Sequence, residues 1–567
     1  MPNGPGPAGP AHAKDRPDTA ATASQVSAHV ALAPRTAWLA SQPSVLQFVG
    51  WAGLLLGAVA ATWSFTAAIF NAHPPFFYDG PLYVLQSAYP ARGLVMYRDF
   101  GEVYGPGVAA VFGTLLGLET PASIYLVAWT LTAILHAINM ALIWAISDRL
   151  RRVFVATCYL LFMSIVVLFW GAWGWEPLIT GLMMAMCLVP VVVIRNGPTR
   201  LNICCYVLVS TATMVWRWDR ILPMTLVLVG AAVIVWASPT LPSLTGARAT
   251  MKHLSARLGA CAAASAAGMV LGAGIIAAFT LHQGTLPAAL QWMFGIPLTT
   301  LPYRTLPLPP VTSIFTMDAQ WITAPFSLAA LATAAVLSFR PWRMPGASRL
   351  GEMAVVFGMP VAIMPYAFGR ADGAHLLSLT FMIGAAGIIS LALWSRLATT
   401  ATAILCGGIL LVPLLASADY HARKVGLRPD WQRGDQLARQ WTSGCTDLFP
   451  PSAKSLFVGH ESYDSFGDNA VILYQLRIDL RPATTFISEE PGQQNTCEIG
   501  ETVARQLESA QKPMVAVLNT TPAPREPNAS LTMQSCGMIE SALQRLPHRD
   551  LGMCSMAKRT FRIRLYE

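Results

Sequence analysis

Charge is what this 567-residue sequence has least of: Asp, Glu, Lys and Arg make up 12% of it, against 54% hydrophobic residues and a mean hydropathy of +0.48. So little charge cannot cover a water-soluble protein of this size, so a multi-span membrane protein is implied and an ordinary soluble enzyme is excluded. The net charge of +9 needs no nucleic-acid partner, because basic residues gathered in cytoplasmic loops give the same total. No Cys-x-x-Cys pair and no cysteine beside a histidine cluster is present, which removes a structural zinc site. No glycine-rich phosphate loop on a soluble domain is present either, so a nucleotide-bound donor has no obvious seat. Internal repeats are absent. Residues 1–44, rich in Pro, Ala, Gly, Ser and Thr, lack the apolar core and small-residue cleavage site of a signal peptide, and read as a disordered cytoplasmic tail.

What is present is a series of apolar runs, each long enough or nearly so to cross roughly 30 Å of hydrocarbon. They lie near Val45–Phe70, Ile124–Ile146, Val153–Trp170, Leu178–Ile194, Leu201–Trp216, Ile221–Trp236, Leu258–Leu281, Ala324–Phe339, Met353–Phe368, Leu376–Trp394 and Thr399–Leu415. A shorter run, Val108–Leu118, follows Gly105-Pro106-Gly107. Counting it as a span would put Arg149, Arg151 and Arg152 outside, so it reads as a re-entrant or interfacial helix. Eleven spans then sort the basic loops (Arg149/Arg151/Arg152, Arg195/Arg200, Arg248/Lys252/Arg257, Arg340/Arg343/Arg349, Arg396) to the cytoplasmic side. Nearly every acid of the membrane part falls on the other face.

Odd parity also places residues 419–567 outside. Four of the ten cysteines, Cys445, Cys497, Cys536 and Cys554, lie in that polar segment, an even set that predicts two disulfides in an oxidising compartment, with connectivity open. Strand-like runs (Ser455–Gly459, Met514–Leu518, Thr560–Leu565) alternate with helix-like ones (Asn469–Leu476, Glu501–Ser509, Cys536–Leu546), which predicts a small α/β domain. His460-Glu461 after the first strand has no partner at informative spacing. The expected fold is therefore an α-helical membrane domain over residues 45–418, with a first outer loop at 71–123, followed by a small extracytoplasmic α/β domain.

The outer loops carry the chemistry. The first holds His73-Pro-Pro-Phe-Phe-Tyr78-Asp79-Gly-Pro-Leu-Tyr83, then Met96-Tyr-Arg98-Asp99-Phe-Gly-Glu102-Val-Tyr104-Gly105. The others are Trp173-Gly-Trp175-Glu176, Trp216-Arg217-Trp218-Asp219-Arg220 and Phe368-Gly-Arg370-Ala-Asp372-Gly-Ala-His375. Ionisable groups at span ends need partners or a site. A carboxylate beside arginines suits attack by a hydroxyl on a carbon bearing a phosphate leaving group: the acid takes the proton and the guanidinium neutralises the phosphate. The tryptophans serve either as interfacial anchors or as platforms for a sugar ring. For each loop acid, helix capping or plain solvation is the competing role. Asp372 and His375 have capping of the next span as their plain alternative.

The order of a first span, Tyr78-Asp79-Gly-Pro-Leu-Tyr83, then Ala91-Arg-Gly93-Leu-Val-Met-Tyr97-Arg98-Asp99-Phe100, then Tyr104-Gly105-Pro106-Gly107, resembles the first outer loop of the GT-C superfamily. These are polyprenyl-phosphate-sugar-dependent glycosyltransferases, and the nearest flavour is the family 39/83-like or aminoarabinose-transferase-like group. The resemblance implies a bacterial inner-membrane enzyme, Asp79 at the catalytic acidic position, and juxtamembrane helices beside the loop. It implies a polyprenyl-phosphate-linked sugar as donor and an envelope glycan or glycolipid as acceptor. Asp99 and Glu102 are the accessory acids. Arg370, Arg217, Arg98 and Arg220 are the candidate phosphate ligands, and Tyr78, Tyr83, Tyr104, Trp175, Glu176, Asp372 and His375 the candidate substrate contacts. The sequence departs from the pattern where Gly80 follows Asp79 in place of a second acid. That leaves divalent-metal use open, with Asp79 and Asp99 or Glu102 as the oxygen ligands it would need. A transporter or flippase of lipid-linked saccharides is the alternative, although transporters usually carry matching halves and mid-span charge. A non-catalytic assembly partner is the third reading.

Overall fold

The computed structural model describes residues 52–53, 55–59, 61–62, 79–147, 152–170, 176–237, 248–299, 347–369, 373–394, 442, 444–460, 472–487, 497–520, 537–556 and 559–567. Residues 1–53 form one unit and Leu54–Glu567 a second, which holds every element named below. The tail 1–44 and the expected spans Ala324–Phe339 and Thr399–Leu415 lie outside the described residues, as does most of Val45–Phe70.

Helix α1 (Asp79–Ala91) leads through a tight loop into a π-helical stretch, Val108–Leu115. Eight residues fall far short of the roughly 20 that a hydrocarbon core requires. The stretch stays beside α1: a side chain at Gly113 would overlap the Ser87 carbonyl, and Ser87 Oγ donates to Leu118 O (2.8 Å). The run Val108–Leu118 thus begins and ends at one end of the bundle. Helix α2 (Pro121–Ile146) follows, with Thr120 accepting from Ser123 N at its N-cap and proline in its first turn, where a missing N–H costs nothing. Then come α3 (Arg152–Trp170), α4 (Glu176–Asn196), α5 (Arg200–Ala237) and α6 (Arg248–His282).

Helix α5 holds 38 residues, but Arg217 leaves helical geometry at φ −146°, ψ 74°. Its two halves run in opposite directions along α6. In the first half Thr211 Oγ1 donates to Gly268 O (3.2 Å) and Met214 lies over Gly272, so the two chains advance together. In the second half Thr225 meets Ser265 (2.7 Å) and Ser255 Oγ reaches back to Ala232 O (3.0 Å), so they advance oppositely. The element is a hairpin with its reversal at Arg217, which agrees with the two expected runs on either side of a polar turn. The turn is tighter than expected, because helical geometry resumes at Trp218.

A short helix α7 (Leu286–Leu290) continues into a π-helical turn, Gln291–Gly295. Helices α8 (Ala347–Gly369) and α9 (Gly373–Trp394) complete the described bundle. Among the described residues, four helical segments are long and apolar enough to cross a membrane: Pro121–Ile146, Leu178–Asn196, Arg200–Ala237 and Lys252–His282. Polar knots tie the helices together. Asn139 Nδ2 donates to Gly181 O (2.8 Å) and His136 Nδ1 meets the Tyr159 hydroxyl (2.7 Å), joining α2, α3 and α4.

The C-terminal part is an α/β domain: β1 (Ser455–His460), α10 (Ile472–Leu476), β2 (Arg481–Pro482), α11 (Cys497–Ser509), β3 (Met514–Asn519), α12 (Met538–Arg545), β4 (His548–Met556) and β5 (Arg559–Tyr566). The sheet order is β2-β1-β3-β5-β4, with β1, β2 and β3 parallel and β5 and β4 antiparallel. Three strands match the expected runs. Two strands were not expected: β2, which is two residues long, and β4, an exposed edge strand whose His548-Arg549-Asp550 start lacks apolar alternation. Cys445 and Cys554 form a disulfide and Cys497 is also disulfide-bonded, while Cys536 lies outside the described residues. This domain does not stand apart: Leu456, Tyr474 and Phe486 share one apolar core with Leu85, Tyr89 and Phe100 of the first loop and Trp292.

Candidate functional site

Charge gathers at both ends of the bundle, in different ways. At one end Arg195 Nε donates to Glu352 Oε1 (2.7 Å) and its Nη1 to Ile146 O (2.7 Å), while Arg257 Nη1 donates to Ile194 O (2.7 Å). These guanidinium groups close helix C-termini, whose last carbonyls lack partners of their own. Arg195 and Arg257 were expected on one face. Glu352, an acid among them, was not.

At the other end the first loop descends onto the α5 reversal, and its path is fixed locally. Val95 N donates to Asp99 Oδ2 (2.7 Å), and Arg98 Nη2 reaches the same oxygen (3.0 Å). Tyr97 N donates to Phe100 O, with Tyr97 in the left-handed region at φ 66°. Glu102, buried, accepts Val103 N (2.8 Å) and Tyr104 N (3.1 Å) on Oε1, and Gln86 Nε2 donates to its Oε2. One carboxylate therefore serves two loop amides and a side chain of α1. Burial, and after it the charge of Glu102, pushes the Tyr97 hydroxyl well above its usual range, so it stays protonated and donates to Tyr104 O (3.4 Å). Glycine at 105 is required by proximity: a Cβ there would overlap the Val215 carbonyl, just before the reversal.

The reversal carries three charged side chains in contact, Arg217, Asp219 and Arg220. Arg217 grips Asp219 through both oxygens, Nε to Oδ1 and Nη2 to Oδ2, each at 2.9 Å. Arg220 Nε lies 3.4 Å from Asp219 Oδ2. Both arginines are buried, at 4% and 2% exposure. Their guanidinium groups stack on tyrosines: Arg217 lies 4.0 Å from the Tyr104 ring centre and 5.1 Å from that of Tyr366, and Arg220 lies 3.4 Å from Tyr366. Around them Trp218 Nε1 donates to Val103 O (3.2 Å), the Trp218 ring packs on Phe294 (4.5 Å), and Phe112 meets Trp216 edge-on (5.8 Å). Arg220 Nε meets Asp219 as an ion pair without hydrogen-bond geometry, while Arg220 Nη2 and the buried Nε1 of Trp216 have no hydrogen-bond partner among the described residues. A buried donor left unmade costs about 1–3 kcal/mol, and more when charged. The cluster thus presents cationic donors that an anion would satisfy.

The structure brings Arg217, Arg220 and Tyr104 together. Arg98 is set apart, an exposed guanidinium paired with Asp99. Asp99 and Glu102 serve the loop rather than each other, Asp99 at its turn and Glu102 inside it. Among the described residues no group of three His, Cys, Asp or Glu side chains is placed to hold a metal ion. Tyr83 packs partly buried against the helical core. Asp79 is the first residue of α1, Glu176 opens α4 and His375 lies in the first turn of α9; their side chains are outside the described part of the structure. Tyr78, Trp175, Arg370 and Asp372 also lie outside the described residues. Sequence reasoning missed Gln86, Trp292, Phe294 and Tyr366. Each is a neutral side chain inside an otherwise apolar stretch, and only contact with the loop or the arginines reveals it. Compared with known proteins, the chain matches no protein-family model and no curated protein.

Proposed function

We propose that this protein is a membrane glycosyltransferase that moves a sugar from a polyprenyl-phosphate donor to an envelope glycan or lipid on the outer face of a bacterial inner membrane. The acceptor hydroxyl attacks the anomeric carbon, the carbon–oxygen bond to phosphate breaks, Asp79 takes the hydroxyl proton, and Arg217 and Arg220 receive the departing polyprenyl phosphate. The observation that carries the reading is Arg220, a buried guanidinium that meets Asp219 only at 3.4 Å through Nε and has no hydrogen-bond partner on Nη2, at the tip of a membrane hairpin beneath the first loop. Phosphate oxygens bound there would offset the desolvation of the cation.

The sidedness rests on two supports. The domain with the Cys445–Cys554 disulfide packs against α1 and the first loop, the end that bears the arginine pair, and disulfides belong to oxidising compartments. The helix-closing arginines Arg195 and Arg257 lie at the opposite end, as the positive-inside rule expects of the cytoplasmic side. Eleven spans with a cytoplasmic N-terminus fit both.

The test is incubation of purified protein with labelled polyprenyl-phosphate sugars and envelope extracts, comparing wild type with Asp79→Asn. Transfer by the wild type that drops at least about a thousandfold in the variant supports the assignment. Undiminished transfer by the variant removes Asp79 from its role. Lipid movement across proteoliposomes with no transfer from any donor replaces the enzyme with a flippase.

A further inference from the structure

We propose that the C-terminal domain is a clamp on the first loop, with Trp292 and Phe486 as positioning residues for the arginine site. The proposal rests on the glycosyltransferase reading for its purpose but not for its geometry.

The clamp is a continuous series of contacts. Residue 485 follows the short strand β2 and is fixed from behind by Gln506 of α11, whose Oε1 accepts Thr485 N (3.0 Å) and whose Nε2 donates to Thr485 Oγ1 (3.1 Å). Thr485 O in turn accepts Gly101 N (2.7 Å), in the middle of the loop. The neighbouring Phe486 ring packs on Trp292 at 4.6 Å. Trp292 occupies the space that a side chain at residue 101 would need, so glycine there allows the indole to lie flush against the loop backbone. Two residues beyond Trp292, Phe294 packs on Trp218, whose indole N–H holds Val103 O. Val103 and Tyr104 are the amides braced by Glu102, and Tyr104 carries Arg217 on its ring. The path from the soluble domain to the arginine pair therefore has no gap.

The loop has a physical need for this support. A left-handed tyrosine, Tyr97 at φ 66°, costs about 1–2 kcal/mol and persists only where its surroundings over-determine it. A loop restrained only by its own turns would sample other paths, and Tyr104 would leave the Arg217 guanidinium. Clamping holds Tyr104 and Glu102 in register with the α5 reversal before any donor arrives, so the ordering cost is met in advance.

Two readouts test it on the full-length protein in detergent. The first is hydrogen exchange of residues 95–105, for wild type, Phe486→Ala, Phe486→Tyr and Gly101→Ala. The clamp predicts about tenfold faster exchange in Phe486→Ala and Gly101→Ala, near-wild-type exchange in Phe486→Tyr, and unchanged protection of α5 and α6 in all of them, which also shows that the variants fold. The second is equilibrium binding of farnesyl phosphate, expected to weaken about tenfold in Phe486→Ala and recover in Phe486→Tyr. Loop exchange unaltered by Phe486→Ala overturns the clamp. Faster exchange with no farnesyl phosphate binding to any form supports the clamp and removes the phosphate reading. Faster exchange with equal binding by wild type and Phe486→Ala overturns the positioning role.

Discussion

Two buried ionic residues at the same end of the molecule have opposite consequences for stability. Glu102 is saturated: two loop amides and the Gln86 amide all donate to it. Glu102→Ala leaves these donors buried and unmade, and is expected to destabilise the fold by about 3 kcal/mol, read as a lower midpoint of thermal unfolding in detergent. Asp99→Ala, at a partly buried turn, is expected to cost about 1 kcal/mol by the same measurement. Arg220 is the reverse case. Its Nη2 is unpartnered, its Nε lies 3.4 Å from Asp219, and Asp219 keeps both hydrogen bonds from Arg217 when Arg220 is removed, so Arg220→Met is expected to leave the midpoint unchanged or raise it, while donor turnover falls about a hundredfold or more. An unfolding midpoint that drops by several degrees would mean Arg220 is structural. These roles were only partly legible beforehand. The sequence puts Asp99, Glu102, Arg217 and Arg220 in polar loops between apolar runs, but the division of labour among them depends on Gln86, Tyr366 and the Val103 carbonyl, whose contributions appear only once distant segments meet.

At the scale of elements, periodicity and turn chemistry carried furthest where physics acts locally. The run Val108–Leu118 is short and flanked by Gly-Pro-Gly and Glu-Thr-Pro, and it folds as a stretch that returns to α1. The polar turn between Leu201–Trp216 and Ile221–Trp236 marks the α5 hairpin, though the reversal itself takes place at Arg217. Contact-driven elements were not legible: β4 is held by pairing with β5 across a bulge between Asp550 and Gly552, and α7 with its π-turn is held by burial of Trp292 and Met293 in the core that the loop shares with the C-terminal domain. The hairpin gives its own prediction. Gly105→Ala drives a methyl into the Val215 carbonyl, where the obstacle is backbone and no flexible side chain can yield. Loss of about 2 kcal/mol or more of stability is expected, together with faster exchange of the amides around Trp216 and Trp218. Protection left as in the wild type would show that the loop does not rest on the reversal.

At the scale of the molecule, among the described residues, the first loop and the π-helical turn Gln291–Gly295 both meet the C-terminal domain, through Thr485 and Phe486. The disulfide between Cys445 and Cys554 closes a sequence separation of 109 residues, linking the entry of that domain to its last hairpin. Replacing both cysteines with serine is expected to cost the domain about 2–5 kcal/mol, measured as weaker protection of the C-terminal strands in hydrogen exchange. Sidedness is checked by a reporter fused after Ala416, expected to behave as extracytoplasmic; a cytoplasmic reporter would overturn the span count and the outward-facing site together. Whether the buried arginine pair receives the phosphate of a lipid-linked sugar is decided by equilibrium binding of a labelled polyprenyl-phosphate sugar to wild type and Arg220→Met at matched thermal stability. Saturable binding that weakens about a hundredfold in the variant is expected. Equal affinity in the two proteins would remove the arginine pair from the donor site.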